Sequence, residues 1–219
     1  MKPDTVVFDK IHSVIAHAAA AACTEAGMHP ISAEGVDLVE LLKSHCARVQ
    51  AFIFDIPSHS EDGFDPANLV GADVEKICTQ LDAEVSGFLA VCGDVTRALS
   101  PHKQAAIWAL CADDVASDLA GGATAPAATQ ARVGALKSLA KEYGRMGLSY
   151  HALVCQPPRE SATAEQWRTV RGALKVYAMR YKAPLALEYG RFLVAVLNTS
   201  QAMNGSVVTM GVGVMEMGG

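Results

Sequence analysis

The side chains that could do chemistry unaided in this 219-residue chain are six cysteines and seven histidines. Cys111 closes an apolar run, and a thiol at a strand end becomes a nucleophile when a histidine takes its proton; His102 and His151 are the candidate bases. The simpler reading is a core cysteine, because a thiol surrounded by apolar groups stays protonated and inert. Cys23, Cys46, Cys78, Cys92, Cys111 and Cys155 all sit in apolar stretches, with no C-x-x-C and no His/Cys cluster at metal-ligand spacing. His12 and His17 are five residues apart, one more than the spacing that aims two imidazoles at one metal from a helix. His59-Ser60-Glu61-Asp62 reads as a solvated loop, and Lys141 with Glu142 as an exposed polar face at a helix end.

The elements that must position these residues alternate. Short β-branched or aromatic runs predict strands at Thr5–Phe8, near Met28–Ser32, at Val49–Ile56, Ala105–Cys111, Leu148–Cys155 and Ser206–Met210. Helical periodicity predicts helices over Ile11–Ala26 with Gly27 as C-cap, and over Val36–Cys46 with Val36, Val39, Leu42 and Cys46 on one face. Further helices are expected over Val70–Leu99, Ala125–Met146, Ala164–Lys182 and Leu185–Leu197, and Pro57 to Pro66 is a polar loop. Strands alternating with helices imply an α/β class: a Rossmann-like, doubly wound parallel sheet flanked by helices on both faces. No linker or repeat divides residues 1–219, so one domain is expected.

Composition narrows the function classes. Hydrophobic residues make up 51% and charged ones 19%, which excludes a disordered chain. The net charge of −5 is spread along the sequence, so no nucleic-acid footprint is expected. Cysteines without a disulfide framework suit a reducing cytoplasm. The start Met1-Lys2-Pro3-Asp4 has no signal-peptide character, and the apolar run Val14–Cys23 is too short to span a bilayer.

The segment Ala131-Arg132-Val133-Gly134-Ala135-Leu136-Lys137-Ser138-Leu139-Ala140-Lys141-Glu142-Tyr143 resembles the helix that carries the catalytic Tyr-x-x-x-Lys of short-chain dehydrogenases/reductases. Other stretches resemble that family in order: Gln50–Ile56, the strand before its Asn-Asn-Ala-Gly turn; Asp82–Phe88, its V-N-L-x-G-x-F stretch; and Ala106–Ala112, the strand ending in its Ser. Leu148–Pro157 resembles its I-R-V-N-x-I-x-P-G strand and Met203–Met210 its closing strand. The tail resembles the 3-oxoacyl-carrier-protein reductases most.

Set beside that family, the chain has lost its chemistry. The family's Gly-rich turn lets the backbone approach the dinucleotide pyrophosphate at a helix N-terminus. Here the matching loop is Asp9-Lys10-Ile11-His12-Ser13, with no glycine, and the central turn reads Asp55-Ile56-Pro57-Ser58. The catalytic positions fall on Glu84 (Asn), Ala112 (Ser), Ala125 (Tyr) and Thr129 (Lys), and no Tyr in the chain has a Lys four residues on. The resemblance therefore implies no catalytic residue, no metal and no cofactor, with NAD(P) held only if the degenerate loop keeps weak binding.

In the family the two long helices build a four-helix dimer interface, which implies an interface through Leu81, Val85, Phe88, Val133, Leu136 and Leu139; covering the chain's own sheet is the alternative. The closing strand with Val212–Met217 is a second expected assembly surface. Arg168, Arg171, Lys175, Arg180 and Lys182 fall where the family has its substrate lid, where an anionic partner such as an acyl carrier protein would fit, though a plain exposed helix face is simpler. The expectation is a non-catalytic structural or regulatory subunit, a pseudoenzyme in homo- or hetero-oligomer with an active reductase of fatty-acid or polyketide metabolism. The alternatives are a stand-alone small-molecule binding protein, or an enzyme with altered chemistry at Glu84, Cys111 or nearby histidines.

Overall fold

A computed structural model describes residues 4–56, 74–102, 105–112, 124–165, 167–168, 183–197 and 200–211. Among the described residues six strands make one parallel sheet: β1 (Thr5–Phe8), β2 (His29–Ser32), β3 (Val49–Phe54), β4 (Ala106–Ala112), β5 (Ser149–Cys155) and β6 (Val207–Met210), in the order β2-β1-β3-β4-β5-β6. The order reverses between β1 and β3, so their carboxyl ends flank the crevice where doubly wound sheets bind ligands.

Helices cover both faces because every inner strand is apolar on both sides. Val7, Phe52, Phe54, Ile107, Ala109, Cys111 and Tyr150 face one core, closed by α2 (Leu38–His45), α3 (Val74–Leu99) and α4 (Thr124–Tyr143). Val6, Phe8, Ile53, Trp108, Leu110 and Leu153 face the other, closed by α1 (Val14–Glu25) and α5 (Ala186–Leu197). Adjacent strand residues fall in opposite cores, the period-2 rule at work.

Several boundaries differ from those expected. Helix α1 begins at Val14 rather than Ile11, because the Ser13 side chain accepts from Ala16 N and caps it. Gly27, at φ 78°, follows its end as expected. Helix α2 begins at Leu38: Gly35 at φ 74° turns the chain and the Asp37 carboxylate accepts from Glu40 N, so Val36 lies outside the helix and is exposed. Strand β3 ends at Phe54, and α4 gives way to a 3-10 turn over Gly144–Met146. Residues 70–73, most of Ala164–Lys182, the Pro57–Pro66 loop and Val212–Met217 lie outside the described residues.

Candidate functional site

The crevice at the switch point is filled by the protein's own carboxylates. Asp55 follows β3 and is fully buried. Its Oδ2 accepts from His12 N at 2.9 Å and Ser13 N at 2.8 Å, and its Oδ1 accepts from the Ser13 hydroxyl and from Ile56 N at 2.7 Å. Two of these donors are backbone N–H groups at the start of α1, where helices hold anions. A phosphate arriving at this corner would have to displace Asp55.

Asp9 lies beside it. Its Oδ1 accepts from Asp55 N and Lys10 N, both at 2.7 Å, tying the end of β1 to the end of β3. Burial pushes the Asp9 carboxyl up to about 6, and the Asp55 charge adds to the rise; the two N–H donors and Lys10 pull it back. At the rim, His12 Nε2 lies 2.8 Å from Glu34 Oε2, joining the β1–α1 and β2–α2 connections. Lys10 and Ile11 complete the connection, both half-buried. The four loop residues Asp9, Lys10, Ile11 and His12 are thus brought together with Ser13, Glu34 and Asp55.

The positions aligned with the catalytic group lie on the neighbouring strand β4 and on α3 and α4. Ala112 ends β4, and its carbonyl accepts from the Thr129 hydroxyl at 2.9 Å. Ala125 lies in the first turn of α4, four residues before Thr129. Glu84 lies on α3, where its Oε1 accepts from Gln80 Nε2 at 3.3 Å. Beneath them Arg132 is buried, its Nη1 donating to Asp55 O at 3.0 Å and Leu110 O at 3.4 Å, with the guanidinium 4.9 Å from the Phe88 ring centroid.

The Cys111–His151 pairing is not assembled. Cys111 faces the α3/α4 core and His151 stacks on Trp108 at 4.4 Å in the other core, with the sheet between them. His102 precedes β4 whereas Cys111 nears its far end, and the strand from Ala106 to Cys111 alone spans roughly 16 Å at about 3.3 Å per residue. Burial pushes the Cys111 thiol up to about 11, which favours the protonated, inert form. Cys78 departs from the expected burial: it is exposed on α3. No group of His, Cys, Asp and Glu that could hold a metal occurs among the described residues, and no helix there is long and apolar enough to cross a membrane. His59 to Asp62 lie outside the described residues, as do Arg171, Lys175, Arg180 and Lys182, while Arg168 is exposed.

Of the six expected interface residues, Phe88, Val133 and Leu136 are buried in the protein's own core. Leu81, Val85 and Leu139 are half-buried. The exposed residues of the two long helices include small ones, Ala83, Ser86, Gly87 and Ala90 on α3 and Ala127, Gly134 and Ser138 on α4, together with Leu89 on α3 and Lys137 on α4.

Asp55 and Arg132, the residues that organise the corner, escaped the sequence reading as functional groups. Ser13 fell inside the helix expected from Ile11; a hydroxyl placed just before an apolar run is the signal that could have marked it as the cap. Arg132 left a trace as a lone cation within an apolar helical stretch.

No family model and no curated protein matches the sequence. Solved structures do match its fold. A dehalogenation enzyme aligns over 97% of this chain and 98% of its own at 16% identity and TM-score 0.76. A halohydrin dehalogenase bound to ethyl (2S)-oxiran-2-ylacetate aligns over 99% of both at 17% and 0.71. An oxidoreductase of the short-chain dehydrogenase/reductase family from Burkholderia thailandensis aligns over 95% of this chain and 91% of its own at 16% and 0.66. The chain has the α/β, Rossmann-like fold of these proteins.

Proposed function

We propose that this protein, built on the short-chain dehydrogenase/reductase fold, is a non-catalytic structural or regulatory subunit that pairs with an active 3-oxoacyl reductase-type enzyme. One observation carries the reading: the Asp55 carboxylate holds the N–H groups of His12 and Ser13, the donors a dinucleotide pyrophosphate would need. Side chains of Asp9 to Ser13 stand where a close backbone approach requires glycine, and the crevice carries two carboxylates toward an incoming anion. These residues do not fit NAD(P), and no step of a reaction is assigned to it.

The second support is chemical. The Thr129 hydroxyl is engaged by the Ala112 carbonyl, and neither residue can donate or accept a proton as the aligned Lys and Ser would. The outward small residues of α3 and α4 leave faces on which a second helix pair can approach closely.

The test is co-expression with the reductase encoded nearest to it, followed by size exclusion with light scattering and an assay of NAD(P)H-dependent acetoacetyl-thioester reduction. A mixed oligomer with more activity or stability than the reductase alone is expected. Separate homo-oligomers with unchanged activity would sink the reading.

Two structural neighbours are named for dehalogenation, which favours a second reading, an enzyme with altered chemistry in the crevice. Halide release from a vicinal halohydrin by the purified chain, abolished by Glu84→Gln, would establish it in place of the first.

A further inference from the structure

Asp9 is a half-buried acid with no cationic side chain hydrogen-bonded to it among the described residues. It shares its corner with Asp55, and like charges in one desolvated site resist being ionised together. The two are also mechanically linked. The Asp9 Oδ1 holds Asp55 N, and the Asp55 carboxylate holds His12 N, Ser13 N and the Ser13 hydroxyl, which in turn caps α1 through Ala16 N. We propose that the Asp9–Asp55 corner is a pH-sensitive clamp on the start of α1, closed when Asp9 carries a proton and loosened when Asp9 is ionised.

The chain of contacts explains the direction. A proton on Oδ2 leaves Oδ1 free to keep both N–H bonds and removes the repulsion toward Asp55. An ionised Asp9 is drawn toward water, and leaving the corner releases Asp55 N, while the β1–β3 ladder and the Asp9 N to Ile53 O bond at 3.0 Å stay in place, so the loosening is confined to Asp55 and the start of α1. The other charged groups facing the corner are few. Lys10, on the same connection, attracts the Asp9 charge. The imidazole of His12 is turned to Glu34 of the β2–α2 connection, and Arg132 of α4 reaches the Asp55 carbonyl rather than either carboxylate. The pH at which burial places the Asp9 proton, about 6, falls within the range a cell can visit.

The test is amide hydrogen exchange at His12, Ser13 and Ile56, corrected for intrinsic rates, at pH 5.0 and 7.5. Protection about tenfold higher at the lower pH is expected, because one linked proton changes the open population by up to about tenfold for each step of one in pH between the open-state midpoint near 4 and the closed-state midpoint near 6, and no further above it. Asp9→Asn, which keeps an acceptor and carries no charge, should be protected at both pH values. Glu34→Gln should leave the pH dependence in place. Carbon-13 titration of the Asp9 carboxyl in the wild-type chain gives a readout that needs no variant. A midpoint near 6 supports the clamp. A midpoint near 4, flat protection in the wild type, or unchanged pH dependence in Asp9→Asn would overturn it.

Discussion

The fully buried Asp55 is held by four donors in part-buried hydrogen bonds, so its removal leaves several polar groups without their partner at once. Asp55→Ala should destabilise the protein by about 2–4 kcal/mol in urea denaturation, since each buried donor left without a partner costs on the order of 1–3 kcal/mol and the vacated space admits some water. Asp9 acts in the opposite sense. Its carboxyl is raised in the folded state, so its stabilising contribution is full below about 4 and is lost as pH rises through about 6. Asp9→Asn should therefore raise the melting temperature at pH 7.5 and leave it unchanged at pH 4. The thiols give a further check: Cys78 is exposed, whereas burial raises Cys23, Cys92 and Cys111 to about 11 or 12. Alkylation followed by mass spectrometry should label Cys78 well before those three.

Among the elements, glycine positions separate internal packing from outward faces. A Cβ on Gly190 of α5 would lie 2.5 Å from the Ala18 carbonyl oxygen of α1, a backbone atom that cannot step aside. Gly190→Ala should cost about 1–3 kcal/mol, the usual range for overpacking a core. A Cβ on Gly134 of α4 meets nothing within 4 Å. Gly134→Ala should stabilise the isolated chain by about 0.5–1 kcal/mol through helix propensity. If the α3/α4 face meets a partner closely, the same change weakens the complex in light scattering, and unchanged assembly places the contact elsewhere.

The elements were legible where local pattern decided them. The runs at Val49, Ala106 and Ser149 are apolar on both sides, and a parallel strand buried on two faces admits no other reading. Helix starts moved where a cap overrode hydrophobic periodicity, at Ser13 and after Gly35. The Asp9–Asp55 corner was half legible: the missing glycines told what the loop could not hold. What it holds instead depends on a residue 43 positions from Ser13's neighbour His12, and no local pattern announces a pairing across that distance.

At the scale of the molecule, the two cores differ in how their walls are drawn from the chain. One is walled by α2, α3 and α4, which follow one another, and the other by α1 and α5, near the two ends. During synthesis the first can close as its helices emerge in turn. The alanine-rich face of α1 must wait for Tyr189, Leu193 and Leu197, nearly the whole chain later. Ribosome-bound chains ending at residue 182 should therefore recruit a holdase chaperone and show protease cleavage within α1. Chains extended past residue 211 should show neither, once α5 has cleared the exit tunnel and covered α1.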